Sequence, residues 1–172
     1  MLLSEIESSS PRPTSTEQID VQRIIEDEVL SIFANKAKQK NIDIKTDFAA
    51  GLPKLTMSKD RFKQMLINLL DNAIKFTGEG GQVHVSVSLK NGRAMVIKVK
   101  DNGIGIPREH QDRIFERFYR VDKGRSRKEG GTGLGLAIVK HIVLLVNGSV
   151  QVDSRPGEGT EFTVEIPLKR GE

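Results

Sequence analysis

Gln82-Val83-His84-Val85-Ser86-Val87-Ser88-Leu89-Lys90, then Asn91-Gly92-Arg93, then Ala94-Met95-Val96-Ile97-Lys98-Val99 reads as a β-hairpin, and it decides the fold class. In the first run Val83, Val85, Val87 and Leu89 alternate with polar neighbours, the period of a strand with one covered face. Asn91-Gly92 supplies the two residues that tolerate positive φ in a primed turn. The return run, Ala94 to Val99, is almost wholly apolar, which predicts a central strand. Downstream, Val150 and Val152 face Phe162, Val164 and Ile166 across Pro156-Gly157-Glu158-Gly159, a second hairpin. Ile42, Ile44 and Phe48 alternate as a further strand.

Three helices surround these strands. Asp20 caps one with Val21, Ile25, Val29 and Ile32 along a stripe, and Ser58 caps a second with Phe62, Met65, Leu66, Leu69, Leu70 and Ala73 facing the core. Residues 134 to 146 form a very apolar third. Hairpins in place of strand–helix–strand alternation predict an α+β chain: two layers, with a mixed, mostly antiparallel sheet covered on one face by helices.

The 172 residues suffice for one well-cored domain, and 37% hydrophobic content with 16 glycines is ordinary for a globular chain. No apolar run reaches a membrane span and no signal peptide opens the chain. With no cysteine there is neither a disulfide nor thiolate chemistry. The net charge is +4, and its densest basic cluster is Arg117, Arg120, Lys123, Arg125, Arg127 and Lys128. That cluster is local, so a nucleic-acid partner is not expected.

Polar chemistry gathers in three stretches. Asn68, Asn72 and Lys75 fall at i, i+4 and i+7 of the second helix and share one face, away from its apolar stripe. Asn is a poor helix former, so two of them one turn apart point to their side-chain oxygens. Neutral oxygens suit Mg²⁺, which takes most of its negative charge from phosphates, and Lys75 can meet those phosphates as a point charge. Asp101-Asn102-Gly103-Ile104-Gly105-Ile106 ends the apolar return strand on a carboxylate. Such a group facing inward needs a donor, which an adenine amino group supplies, and bare glycines let a flat base lie close. An ordinary turn is the competing reading of the same residues. Gly131-Thr132-Gly133-Leu134-Gly135-Leu136 matches neither the dinucleotide nor the Walker pattern. It keeps the physics of both, free backbone N–H groups at a helix N-terminus facing an anion.

Taken in order with Phe115-Glu116-Arg117-Phe118 and Gly157-Glu158-Gly159-Thr160, these stretches resemble the ATP-binding catalytic domain of sensor histidine kinases. That domain lies within the wider gyrase, heat-shock-chaperone and mismatch-repair ATPase superfamily. The resemblance covers roughly residues 17 to 169 and implies a Bergerat-type sandwich. It implies Mg²⁺ on Asn72 with Asn68 beside it, and catalytic contributions from Asn68, Lys75, Arg117 and Arg120, the two arginines toward the γ-phosphate. ATP would be lined by Asn68, Asn72, Lys75, Phe76, Asp101, Gly103, Gly105 and Ile106. Gly131, Thr132, Gly133, Leu134, Gly135 and Leu136 would take the phosphates, and Thr160 the adenine end. Residues 1–10 resemble the end of the preceding dimerisation-domain helix, 11–16 read as a Ser/Pro-rich linker, and 17–172 as the catalytic domain.

The phosphoacceptor helix of such kinases is absent, and His84, His110 and His141 each read as ordinary surface or core residues. The implied activity is transfer of the γ-phosphate of ATP to a histidine on a separate dimerisation domain of the same kinase. A response regulator would be reached through that domain. An ATP-hydrolysing clamp and a non-catalytic nucleotide-binding module are the alternatives. In the hydrolytic relatives a glutamate occupies the place of Asn68, and an amide cannot accept a proton. Phe115 and Phe118 are candidate docking aromatics, and residues 117 to 131 are expected to form a nucleotide-ordered lid. The implied compartment is the cytoplasm, with membrane anchoring of the parent chain left open, and the chain is expected to be monomeric.

Overall fold

The computed structural model describes residues 16–119 and 134–168. A five-stranded sheet is built from β2 (Asp43–Phe48), β4 (Gln82–Lys90), β5 (Ala94–Asp101), β6 (Ser149–Arg155) and β7 (Gly159–Pro167), in the order β2-β4-β5-β7-β6. β2 runs parallel to β4 and every other pair is antiparallel. The apolar return strand β5 is central, as its composition predicts. Asn91 and Gly92 both have positive φ, and the Arg93 N–H donates to the Lys90 carbonyl at 2.9 Å, closing the primed turn. A second ribbon of β1 (Glu17–Ile19) on β3 (Leu55–Met57) was not expected, since three-residue strands show no usable period.

The helices cover one face. In α1, Val21–Ile24, Ile25–Val29 and Leu30–Gln39 run on without a break, the middle segment wound as a π-helix. Asp20 caps its start by accepting from the Arg23 N–H at 3.2 Å. The stripe departs from expectation at its end: Ile32 is 50% exposed and Phe33 is buried in its place. The wide π turn advances the chain less per residue, so the buried face continues at intervals of four through Val21, Ile25, Val29, Phe33 and Ala37. α2 (Lys59–Lys75) starts at Ser58, whose hydroxyl accepts from the Arg61 N–H, and buries all six predicted core residues together with Ile74. α3 (Arg108–Gln111) is a single turn, and α4 (Gly135–Leu145) packs along α2. Phe62, Met65, Leu66 and Leu69 meet Val85, Ile97, Val139 and Phe162 in one core between the layers.

Candidate functional site

α2 carries the amide face. Asn68 and Asn72 are half-buried, and Asn72 makes no side-chain hydrogen bond to the described residues. The Asn68 Oδ1 accepts from the Gln64 Nε2 at 3.3 Å, leaving its Nδ2 buried and without a partner. Asn68 thus presents a donor where an oxygen was expected; flipping the amide and releasing Gln64 exchanges the two roles. Gly135 is the next surface it meets, since a Cβ built there would lie 3.9 Å from the Asn68 Cβ and Cγ. The positive end of the α4 dipole is therefore set against the amide face of α2. Lys75 is held by Asp71, Nζ to Oδ2 at 3.0 Å, and Lys36 approaches the other oxygen at 3.6 Å. The carbonyl end of α2 is held from α1, where the Lys40 Nζ donates to the Ile74 carbonyl at 2.7 Å.

At that end stands the glycine turn. Asp101 is 4% exposed and closes β5 opposite Thr160 of β7. Burial pushes its carboxyl above the ordinary value, and the backbone N–H groups of Gly103 and Thr160 pull it back. These two backbone donors serve the carboxylate from within the domain. The following residues do not make a hairpin turn. The Asn102 Oδ1 takes the Gln82 N–H at 2.8 Å, and the chain continues through Ile106 into α3. Close approach makes Gly103 and Gly105 obligatory, for a Cβ would fall 2.1 Å from the Phe76 carbonyl oxygen in one case and from that of Arg155 in the other. The Ile104 N–H donates to the Phe76 carbonyl at 3.1 Å, so the turn and the end of α2 move together.

Two residues with no sequence signal of their own hold this corner. The Ser154 Oγ accepts the Ile106 N–H at 2.7 Å and lies 2.8 Å from the Thr160 Oγ1. The Gln111 Nε2 bridges the carbonyls of Ile106 and Ser154, both at 2.9 Å. Phe115 lies edge-on to Phe162 with ring centroids 6.0 Å apart, whereas Phe118 is 67% exposed at a φ of 64°. Of the two expected docking aromatics, Phe115 therefore packs into the domain and Phe118 faces outward. Leu134 and Leu136 are half-buried against the core at the start of α4. Arg120, Gly131, Thr132 and Gly133 lie outside the described residues, as do most of the expected lid and the head and linker to residue 15.

The α2–α4 seam also holds a cation that the sequence did not single out. Arg61 buries its Nε and Nη1 without a hydrogen-bond partner. His141, on α4, is held below its ordinary pKa by burial first, and then by the charges of Arg61 and Arg117.

Known proteins share both the fold and the sequence. Residues 57–170 match the family model described as histidine kinase-, DNA gyrase B-, and HSP90-like ATPase. The chain is 41% identical to the sensor-like histidine kinase SenX3 of Mycolicibacterium smegmatis over 96% of its own length and 42% of that protein's. It is 46% identical to the sensor histidine kinase WalK of Bacillus subtilis over 66% of its length and 19% of that protein's. It thus spans less than half the length of these curated relatives. Among solved structures, full-length ShkA in complex with AMPPNP superimposes with a TM-score of 0.82 at 30% identity, over 96% of this chain and 33% of that one. The histidine kinase ThkA in complex with the response regulator TrrA gives 0.78 at 27% identity, over 98% and 46%. No helix among the described residues is long and apolar enough to cross a membrane. The chain belongs to the histidine kinase-, DNA gyrase B- and HSP90-like ATPase family, and the relatives it matches there are sensor histidine kinases.

Proposed function

We propose that this chain binds Mg-ATP and transfers its γ-phosphate to a histidine on a separate dimerisation domain. The observation that carries the reading is the placement of Gly135 against Asn68, which sets a helix N-terminus beside an amide face. A buried carboxylate, Asp101, stands at the other end of the same helix. In this reading Asp101 accepts from the adenine amino group, with Phe76, Gly103, Gly105, Ile106 and Thr160 around the base. The stretch from Gly131 to Leu136, which includes the first residues of α4, takes the phosphates. Asn72 fits a hard cation because its amide is uncommitted, and Asn68 joins it once Gln64 lets go. The metal's contribution is to offset charge on the β- and γ-phosphates. Lys75 exchanges Asp71 for phosphate, and Arg117 and Arg120 serve the γ-phosphate end.

Phosphoryl transfer asks the protein for positioning and charge stabilisation more than for covalent chemistry. Imidazole brings its own lone pair, so no base is needed from this chain. Asn68, lacking a proton-accepting group, makes attack by water slow, and this favours a kinase over a hydrolytic clamp. Residues 1–10 are read as the end of a dimerisation-domain helix, 11–16 as a linker and 17–172 as the catalytic domain. The ThkA complex with TrrA supports a response regulator as the eventual recipient.

The test is incubation with ATP labelled at the γ-position, alone and with the dimerisation domain of the parent chain. Acid-labile, base-stable label on the added domain alone is the expected result. Label on this chain, or rapid phosphate release with no acceptor, overturns the reading.

A further inference from the structure

Lys75 stands at a fork on α2. At about 100° per residue, Asp71 lies roughly 40° to one side of it and Asn72 roughly 60° to the other. A lysine stem in a helix leans toward the N-terminus, so Lys75 covers the turn that holds both residues. Its ammonium therefore has two stations at one level of the helix, the carboxylate on the α1 side and the uncommitted amide of Asn72. In this structure it occupies the first, 3.0 Å from the Asp71 Oδ2. Among the described residues, Asp71 is the only carboxylate that pairs with it.

A second cation waits at that station. Lys36 comes from α1 with its Nζ 3.6 Å from the Asp71 Oδ1, and at 62% exposure it has the room to close to contact. α1 is pinned beside this spot. One turn on, the Lys40 Nζ donates to the Ile74 carbonyl at 2.7 Å and reaches that of Lys75 at 3.4 Å. Lys40 thus keeps Lys36 opposite Asp71 whichever way Lys75 turns. The consequence is electrostatic. A carboxylate abandoned by Lys75 would face the polyphosphate from the next side chain on the helix, and like charges so close oppose binding. With Lys36 in reach the carboxylate stays paired, and the charge of Lys75 passes whole to the phosphates.

We propose that Asp71 and Lys36 are positioning residues for Lys75. Asp71 holds the ammonium at the site and competes with the phosphates for it, and Lys36 takes over the carboxylate when Lys75 crosses to the nucleotide. Both act through Lys75 and touch no part of the nucleotide. The proposal rests on the nucleotide reading for what Lys75 crosses to, and on the chain Lys36–Asp71–Lys75 for how it crosses.

The test is isothermal titration of a non-hydrolysable ATP analogue with Mg²⁺ at low ionic strength, where partly exposed charges are least screened. Thermal unfolding confirms that each variant is folded. Asp71→Asn removes the competitor and should tighten binding about two- to fivefold, the scale of one partly exposed ion pair. Lys36→Ala leaves Asp71 without its second cation and should weaken binding about twofold. Two double variants decide the mechanism independently. Lys36→Ala should lose most of its effect once Asp71→Asn is present, and Asp71→Asn should lose its effect once Lys75→Ala is present. A salt bridge that served only the fold would lower the unfolding temperature and leave both couplings at zero. If Asp71→Asn tightens binding equally with and without Lys75, the carboxylate acts by plain repulsion and the exchange is refuted. If Lys36→Ala weakens binding equally with and without Asp71, Lys36 acts on the nucleotide directly and the hand-over is refuted. Unchanged affinity in folded Asp71→Asn ends the proposal. Wild type that fails to bind the analogue refutes the nucleotide reading itself, a result distinct from binding that is indifferent to Asp71.

Discussion

Asp101 couples two pH dependences of opposite sign. Burial raises its pKa above 3.8, so the folded chain binds this proton more tightly than the unfolded chain does. The stability that proton contributes is complete below the unfolded value and is lost as pH rises through the native pKa. In the proposed function, however, the charged form is the one that would accept from an adenine amino group. On acidification from neutral, ATP affinity should fall over the same window in which this side chain's contribution to stability grows. Asp101→Asn should remove the Asp101 component of both trends and blur the preference for ATP over GTP, because an amide can turn a donor toward the base. Calorimetric titrations with both nucleotides across that range decide it; an unchanged preference would leave Asp101 a purely structural strand end. Asn72 supports a simpler expectation: Asn72→Ala should cost about 1–3 kcal/mol of binding in the presence of Mg²⁺ and little without it. Isothermal titration with and without the metal makes the comparison. The amide pair, the carboxylate and the glycines were legible because helix and turn spacing place them locally. Gln64, Ser154, Gln111 and Arg61 were not, since each acquires its role from a segment distant in sequence, Gln64 excepted, whose bond to Asn68 looks like any polar pair one turn apart.

At the scale of elements, both hairpins and the three expected helices could be read from the sequence, because each is a local pattern of neighbouring residues. The parallel pairing of β2 with β4 could not, for it joins residues about forty apart and depends on β3 and α2 lying between the two strands. α1 shows why even a strong helical period can mislead. At about 100° per residue, a four-residue interval drifts by roughly 40°, and Ile32 is the better continuation of the stripe. The π segment at Ile25–Val29 absorbs part of that drift and brings Phe33 inward. Phe33→Ala should therefore cost about 3–5 kcal/mol, whereas Ile32→Ala should change stability by no more than about 0.5 kcal/mol. Urea unfolding of the two variants measures this, and comparable losses would restore the regular helical register. Lys40 tests the same helix layer from another side. Its ammonium serves the carbonyl end of α2, where Lys75 and Phe76 sit, so Lys40→Ala should destabilise by roughly 0.5–1 kcal/mol and loosen the glycine turn joined to Phe76.

Across the whole molecule, the core between sheet and helices is closed, while Phe118, Leu144 and Leu145 stay in solvent on the helix side. Phe118 adds a cost to its exposure, since a bulky side chain at a φ of 64° is disfavoured. It is kept there from both sides. Phe115 is fixed on Phe162, and Tyr119 hydrogen-bonds His110 while the Arg113 guanidinium lies 4.6 Å above its ring. Backbone strain maintained by anchored neighbours is the kind found where a side chain is presented to something else. The two phenylalanines should accordingly separate stability from transfer. Phe115→Ala should lower stability by about 2–3 kcal/mol, discounted from the 3–5 of a fully buried ring, and reduce activity only through loss of folded protein. Phe118→Ala should leave unfolding within about 0.5 kcal/mol of wild type, and Phe118→Gly should gain up to about 1 kcal/mol by relieving the left-handed backbone. Both Phe118 variants should keep their ATP affinity and lose transfer to an added dimerisation domain through a raised KM for that domain. Transfer at the wild-type rate by stable Phe118→Ala would show that the ring's exposure has no part in docking and that the strain at this position serves the fold alone.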